Sequence, residues 1–329
     1  MSDCSLSEFR NHSKQSRSSW SRGVDSFSAQ GIAGPRIHLL DVPEGFQPKR
    51  APSRYPAYAK DYGVEQDFHL FLKTSYRNIV GNPLDADFLY LPVYWTRFYM
   101  THGVETESIQ RIDQLVENFT RVGAPVFTVC QWDDGTILPE SKLIEYLASR
   151  KGVFGLDAPL LASSMPKPFW PFPFGRRYLA NFVGRVETHP IRNELKLAVE
   201  GNPKVLFDRG PRTPRQFSRI LSQSSITLCP RGYGGSSFRF WEAIHHGSLP
   251  WLIGDIDTRP FKGIIDWDKC SLYSRDVREF VERFDALSEQ EISDKRGYLQ
   301  SYVAPLFRWG RWCSLLIEEL GRNLNRTIN

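Results

Sequence analysis

Ile226-Thr-Leu-Cys-Pro-Arg-Gly-Tyr-Gly-Gly-Ser-Ser-Phe-Arg-Phe-Trp-Glu-Ala-Ile-His-His-Gly-Ser-Leu-Pro-Trp-Leu-Ile-Gly254 is the stretch that decides the fold. It reads as strand, glycine loop, helix, strand, the repeating unit of a parallel sheet. The loop Arg231-Gly-Tyr-Gly-Gly-Ser-Ser237 lets the backbone approach a ligand closely, and Ser236 or Ser237 suits the helix N-cap. The unpaired N–H groups of the first helical turn then form an anion site that a phosphate fits. Arg239 lies in that turn. Arg239, Glu242 and His246 share one face, Phe238, Trp241, Ile244 and His245 cover the other, and Gly247 supplies the stop. The loop lacks the Gly-Lys-Ser/Thr ending of a Walker motif.

Outward from this unit, short apolar runs alternate with helical periods in two sets. In the first half, strands are expected at Ile37–Val42, Phe88–Val93, Val126–Cys130 and Val153–Leu156, with helices near 65–79, 105–122 and 139–150. In the second, strands are expected at Tyr178–Val183, Lys204–Phe207, Ile226–Cys229, Leu249–Ile253 and Cys270–Tyr273. Helices fall near 190–200, 213–223, 237–246, 275–285 and 293–324, the last interrupted around Pro305. Between the sets, Met165-Pro-Lys-Pro-Phe-Trp-Pro-Phe-Pro-Phe174 holds four prolines and reads as an extended linker. The expected organisation is a Ser-rich mobile tail over 1–34, an α/β lobe over 35–164, the linker over 165–177 and a second α/β lobe over 178–300. A C-terminal helix over 301–329 packs back on the first lobe. Two doubly wound, Rossmann-like lobes facing each other place the reaction site in the cleft between their strand ends.

Composition limits the function. The 329 residues suit about two domains, and 41% hydrophobic with 24% charged residues excludes fibrous and wholly disordered classes. Aromatic residues make up 13% of the chain, enough for thick cores or for surfaces that stack on sugars. A formal charge of +5 favours anionic ligands, but no run of Lys/Arg marks a nucleic-acid footprint. The five cysteines are scattered, and three lie in apolar runs, as buried thiols of a reducing compartment do. No Cys/His spacing suits zinc. No apolar run approaches the roughly 18 residues of a membrane span, and polar sequence follows Met1, so the reading is a soluble cytoplasmic chain, or a Golgi-lumenal one if trimmed.

The Pro-Arg-Gly…Ser-Phe-Arg…Glu-Ala block at 230–243, with Gly247-Ser-Leu-Pro-Trp-Leu-Ile253 and Phe261 to Trp267 after it, resembles the exostosin family of glycosyltransferases. Further matches are Phe182-Val-Gly-Arg185, Thr188-His-Pro-Ile-Arg192 and Ala86-Asp-Phe-Leu-Tyr-Leu-Pro-Val-Tyr94, so the resemblance spans about residues 85 to 275 in order. It implies an inverting transferase of the two-lobed GT-B type. Such an enzyme moves a sugar from a nucleoside diphosphate, usually uridine diphosphate, to a glycan hydroxyl, with neither cofactor nor bound metal. By position, Arg192, Arg231 and Arg239 match arginines expected on the diphosphate, and Glu242 the acid expected at the donor nucleotide. Ser236, Ser237, Arg185 and His189 complete the expected donor set, with His189 equally placed to be a packing residue. Spacing alone leaves open that Arg239 and Glu242 merely pair with each other on the helix.

Inversion needs a base on the acceptor side to take the hydroxyl proton. Asp133 in Gln131-Trp-Asp-Asp-Gly135 is the first candidate, at the carboxyl end of a buried strand, with Asp134 and His102 as rivals. The aromatics of Tyr94-Trp-Thr-Arg-Phe-Tyr99 suit either sugar stacking or a lobe core. Asp-x-Asp triplets at 85/87, 255/257 and 266/268 are the pattern by which another transferase fold binds metal; with 37 acidic residues, such triplets also arise by accident. A non-catalytic member of the fold that binds carbohydrate or polyanion is the alternative function.

Overall fold

The computed structural model describes residues 34–48, 63–104, 106–120, 123–138, 143–152, 154–161, 176–307 and 310–328. The Ser-rich tail and the Met165–Phe174 proline segment lie outside these residues.

Two five-stranded sheets, each wholly parallel, organise the chain. The first carries β1 (Ile37–Leu39), β2 (Phe88–Tyr90), β3 (Val126–Cys130), β4 (Ile144–Leu147) and β5 (Leu156–Asp157) in sequential order. On one face Tyr90 and Phe127 meet Phe68 of α1 (Val64–Thr74) and Trp312 of the C-terminal helix. On the other, Leu89, Leu91, Val126 and Cys130 pack under α2 (Trp95–His102) and α3 (Thr106–Thr120). Covered on both faces, the strands are apolar on both, as parallel sheets require. The aromatics Trp95, Phe98 and Tyr99 are therefore core residues, each at most 3% exposed, and not a sugar platform.

The second sheet takes β6 (Tyr178–Val183), β7 (Val205–Asp208), β8 (Ser224–Pro230), β9 (Leu249–Ile253) and β10 (Leu272–Ser274) in the order β10-β9-β8-β6-β7. Helices α4 (Pro190–Val199) and α7 (Val277–Ala286) cover one face; α5 (Pro214–Ser222) and α6 (Phe238–His245) cover the other. Local chemistry starts these helices where the sequence places them. Thr213 and Gln216 form a reciprocal capping box on α5, Asp276 caps α7, and Ser288 caps α8 (Glu289–Tyr298). Around Pro305 the chain runs through a π turn and a 3-10 turn before α9 (Arg311–Ile328).

Chain order reverses once in the second sheet, between β6 and β8. At such a switch point the crossovers leave in opposite directions and open a crevice at the strands' carboxyl ends. The segments leaving those two ends are Gly184-Arg185 and Arg231-Gly232.

One expectation is overturned. The segment 139–150, read as a helix, contains β4, hydrogen-bonded between β3 and β5. Tyr146 packs on one face of the sheet and Leu147 on the other, and the four-residue strand Ile144-Glu145-Tyr146-Leu147 is too short to show an alternation that separates it from a helix.

Candidate active site

Four arginines of the sequence pattern converge on the switch-point crevice, but they do different work. Arg192, at the start of α4, gives its guanidinium to the backbone: Nε donates to the Arg231 carbonyl at 2.9 Å, Nη1 to that of Arg185 at 2.7 Å and Nη2 to that of Pro230 at 3.1 Å. It ties the ends of β6 and β8 together as a strut whose charge stays in the crevice. Arg239 is likewise enclosed. Its Nε donates to the Val183 carbonyl at 2.7 Å, its guanidinium lies 4.4 Å over the Phe217 ring, and it pairs with Glu242. Glu242 is 3% exposed. The pair is mutual, as the spacing allowed, but it is buried rather than solvated.

Arg231 is different. It is 7% exposed, its Nη1 pairs with Asp255, and its Nε is buried without a hydrogen-bond partner. The side chain lies along the Cα of Gly254, where an added Cβ would meet it at 3.1 Å, so the glycine is needed for the arginine to lie flat. Beside Gly232 the Thr188 hydroxyl is also buried and unpartnered. A guanidinium N–H left without an acceptor costs the folded state, and such groups in native structures mark a ligand's place. Ser237 occupies the N-cap of α6, as expected, but its side chain accepts no capping bond. Ser236 and Ser237 are both buried, and without a capping bond from Ser237 the first-turn N–H groups of α6 suit a ligand oxygen.

His189 caps α4, its Nδ1 accepting from the Ile191 backbone at 3.3 Å. Partial burial, then the Arg231 charge, holds its pKa below the usual imidazole range, so it is neutral near pH 7. Arg185 stands exposed at the rim.

The glycine loop reaches the first lobe. Gly235 donates to the Arg150 carbonyl at 2.9 Å, and a Cβ on Gly234 would come within 2.7 Å of Asp133 Oδ1 and nearer still to Ser149. Asp133 is thus set against the donor-side loop, hydrogen-bonded to Ser149. Burial, chiefly, pushes its pKa above the usual carboxylate value, while Ser149, Lys151 and Arg231 act against that shift. Its rivals lie elsewhere: Asp134 is exposed and paired with Lys151, and His102 is exposed at the C-terminal end of α2, against Phe98.

Aspartates of the Asp-x-Asp triplets are bound to cations of the chain. Asp87 pairs with Arg36, Asp255 with Arg231, Asp257 with Arg259 and Lys262, Asp266 with Lys269, and Asp268 with Arg259. Among the described residues no cluster of three His, Cys, Asp or Glu has metal-ligand geometry.

Three participants escaped the sequence reading. Ser149 and Arg150 follow β4, and assigning that strand correctly would have put them at a carboxyl end. Glu65, 1% exposed, accepts from the backbone N–H of Gln131 at 2.8 Å and of Thr96 at 3.1 Å, fastening the loop that leads to Asp133. Burial raises its pKa from 4.5 to about 7. A lone Glu in an amphipathic helix gives no signal of this.

Comparison with known proteins meets the same segment. Residues 171–283 match the family described as the Exostosin GT47 domain, so the resemblance read from the sequence holds over the second lobe. The chain is 28% identical over 144 residues, 37% of its length, to ribitol-5-phosphate xylosyltransferase 1 of Danio rerio, and the match covers 33% of that protein. It is 22% identical to the probable beta-1,4-xylosyltransferase IRX10 of Arabidopsis thaliana, over 90% of this chain and 82% of that one. The solved structure of TarM aligns with 79% of this chain and 53% of its own at 10% identity and a TM-score of 0.37, too distant to carry weight.

Proposed function

We propose that the protein is an inverting glycosyltransferase that moves a sugar from a nucleoside diphosphate, uridine diphosphate first among candidates, to a glycan hydroxyl without a bound metal. The observation that carries the reading is the buried, unpartnered Nε of Arg231 beside the uncapped N-terminus of α6, at the sheet's switch point and inside the exostosin GT47 match. A departing diphosphate gains negative charge. A preorganised guanidinium and a helix N-terminus in a closed crevice stabilise that charge as it forms, which is the work a divalent cation does elsewhere. Asp133, held against the donor loop from the opposite lobe, takes the proton of the attacking hydroxyl. Its burial makes it a stronger base than a free aspartate. The neutral His189 imidazole leaves the positive charge of the crevice to arginine.

The test is a thermal-shift screen against UDP, GDP, ADP, CMP and dTDP, with and without EDTA. Ligand binding to the native state raises its apparent stability, by about 2.7 kcal/mol at a hundredfold excess over Kd. Selective stabilisation by one nucleoside diphosphate, unchanged by EDTA, is the expected result. No response from a folded sample would refute the donor site and leave the alternative, a carbohydrate- or polyanion-binding protein on the same fold.

A further inference from the structure

From Asp208 to Gln223 the chain reads Asp-Arg-Gly-Pro-Arg-Thr-Pro-Arg-Gln-Phe-Ser-Arg-Ile-Leu-Ser-Gln, with four arginines and Asp208 as its only acid. None of these arginines belongs to the crevice described above. Their placement follows from the sheet. Val183 of β6 stands opposite Asp208 of β7, and Gly184 donates to the Asp208 carbonyl at 3.0 Å, so Arg185 and Arg209 leave adjacent strand ends together. Neighbouring strands lie about 4.8 Å apart. The turn through Gly210 is fixed by its N–H on Asp208 Oδ1 at 2.9 Å, and Arg212 pairs with Asp208, the acid of this segment. The capping box then starts α5, setting Arg215 and Arg219 one turn apart; both are exposed, as are Arg209 and Arg212. The inner face of α5 carries Phe217, on which Arg239 rests, so this helix forms one wall of the crevice. Arg185, Arg209, Arg215 and Arg219 thus make a basic rim that leaves the crevice and turns over the β7 edge. There it meets a surface groove lined by Lys196, Glu200, Val205, Phe207, Asp208 and Arg209, of mixed charge.

We infer that this rim is a binding surface for an anionic glycan, the acceptor chain being held by its charged groups while one hydroxyl enters the crevice. A polynucleotide fits the rim less well. Bases need exposed aromatic faces to stack on, and Phe217, the aromatic residue of this segment, is buried. The surface is short, the four arginines Arg185, Arg209, Arg215 and Arg219, which suits the spaced charges of a sugar chain more than the dense charge of a duplex. The assignment of an acceptor rests on the transferase reading; the binding itself does not.

The test measures binding of the full chain to hyaluronan oligosaccharides, dextran sulfate, polyphosphate, neutral dextran and duplex DNA at about 50 and 300 mM salt, for the wild type and for Arg209→Ser/Arg215→Ser. A second double variant, Arg275→Ser/Arg278→Ser, removes equal charge from exposed positions on and before α7. The expected result is binding to anionic but not neutral glycan, weakened at the higher salt, and lost about threefold per arginine, tenfold for the rim pair, with little change in the α7 pair. Among the three anionic probes, the strongest names the acidic group as carboxylate, sulfate or phosphate. Equal loss in both variants, equal binding of neutral dextran, no binding of any glycan, or tighter binding of DNA each overturns the inference. UDP stabilisation measured on the same rim variant separates the two claims: it stays if only the rim assignment fails and is absent already in the wild type if the donor reading fails.

Discussion

Gly234→Ala tests the meeting of the two lobes at a single atom. A Cβ at this position would sit 2.7 Å from Asp133 Oδ1 and closer to Ser149 Oγ and the Ser149 carbonyl, whereas ordinary contact begins near 3.4 Å. Relieving Asp133 alone requires a shift of about 0.7 Å, and the Ser149 carbonyl belongs to backbone that a rotamer change cannot move. The loop must therefore lift away from the first lobe, taking with it the Gly235 bond to Arg150 and the seat of Arg231. Overpacking of this kind costs about 1–3 kcal/mol, and a loss of about 2 kcal/mol lowers Tm by about 3 °C in a chain of this size. Urea denaturation and scanning calorimetry measure that cost, and nucleotide titration measures the second effect, a weaker donor site. Gly297→Ala is the control. It lies inside α8 with open space at its Cβ, and the change should be neutral or stabilise by up to about 1 kcal/mol. If Gly234→Ala is as stable as wild type and binds nucleotide equally well, the loop does not bridge the lobes and Asp133 is not set against the donor side.

Three further outcomes follow from the side-chain environments. Arg239→Ala removes the guanidinium against which Glu242 is buried and should cost about 3–5 kcal/mol by denaturant titration, whereas Arg231→Met, whose partner Asp255 is 65% exposed, should stay folded with little loss; a benign Arg239→Ala contradicts a buried Arg239–Glu242 pair. Asp133→Asn should lower transfer by about a hundredfold to ten-thousandfold while nucleotide affinity is kept, and the wild-type rate should fall as pH drops through the raised Asp133 pKa; full activity in the variant removes Asp133 as the base. Glu65 holds its proton in the native state up to about pH 7 but only to about 4.5 when unfolded, so its contribution is full below pH 4.5 and is lost as pH rises through 7. Stability of the wild type relative to Glu65→Gln should therefore decline by about 2 kcal/mol between pH 5 and 7.5, and a pH-independent difference would refute the burial of that carboxyl.

The second lobe was legible because local signals there agree with the fold. Glycine at 232, 234 and 235, Ser237 at the N-cap and the apolar runs at 226–229 and 249–253 each point to strand, loop, helix, strand, and β9 spans the expected residues. The first lobe was legible in β1, β2 and β3 and obscure at β4, where four residues are too few to show a period. At the site, the sequence pointed to arginines that the fold gathers at one crevice, but not to their different contacts. Whether a guanidinium faces a ligand or a carbonyl depends on where the ends of β6 and β8 lie, and that is a property of the assembled sheet. Arg192 and Arg231 are equally arginine in sequence; only the packed strands make one a strut and leave the other an unsatisfied donor. Ser149 and Glu65, which place Asp133 from separate elements, leave no trace in the residues around it.

The most direct measurement is a calorimetric cycle in EDTA: UDP and UMP, or the diphosphate and monophosphate of whichever base binds in the screen, titrated into wild type and Arg231→Met. If Arg231 and the N-terminus of α6 hold the second phosphate, wild type should prefer the diphosphate by about tenfold or more, near the 1.4 kcal/mol of a charge-assisted contact, and the variant should lose most of that preference. Equal loss of both nucleotides in the variant, or no preference for the diphosphate in the wild type, would contradict a diphosphate site at Arg231.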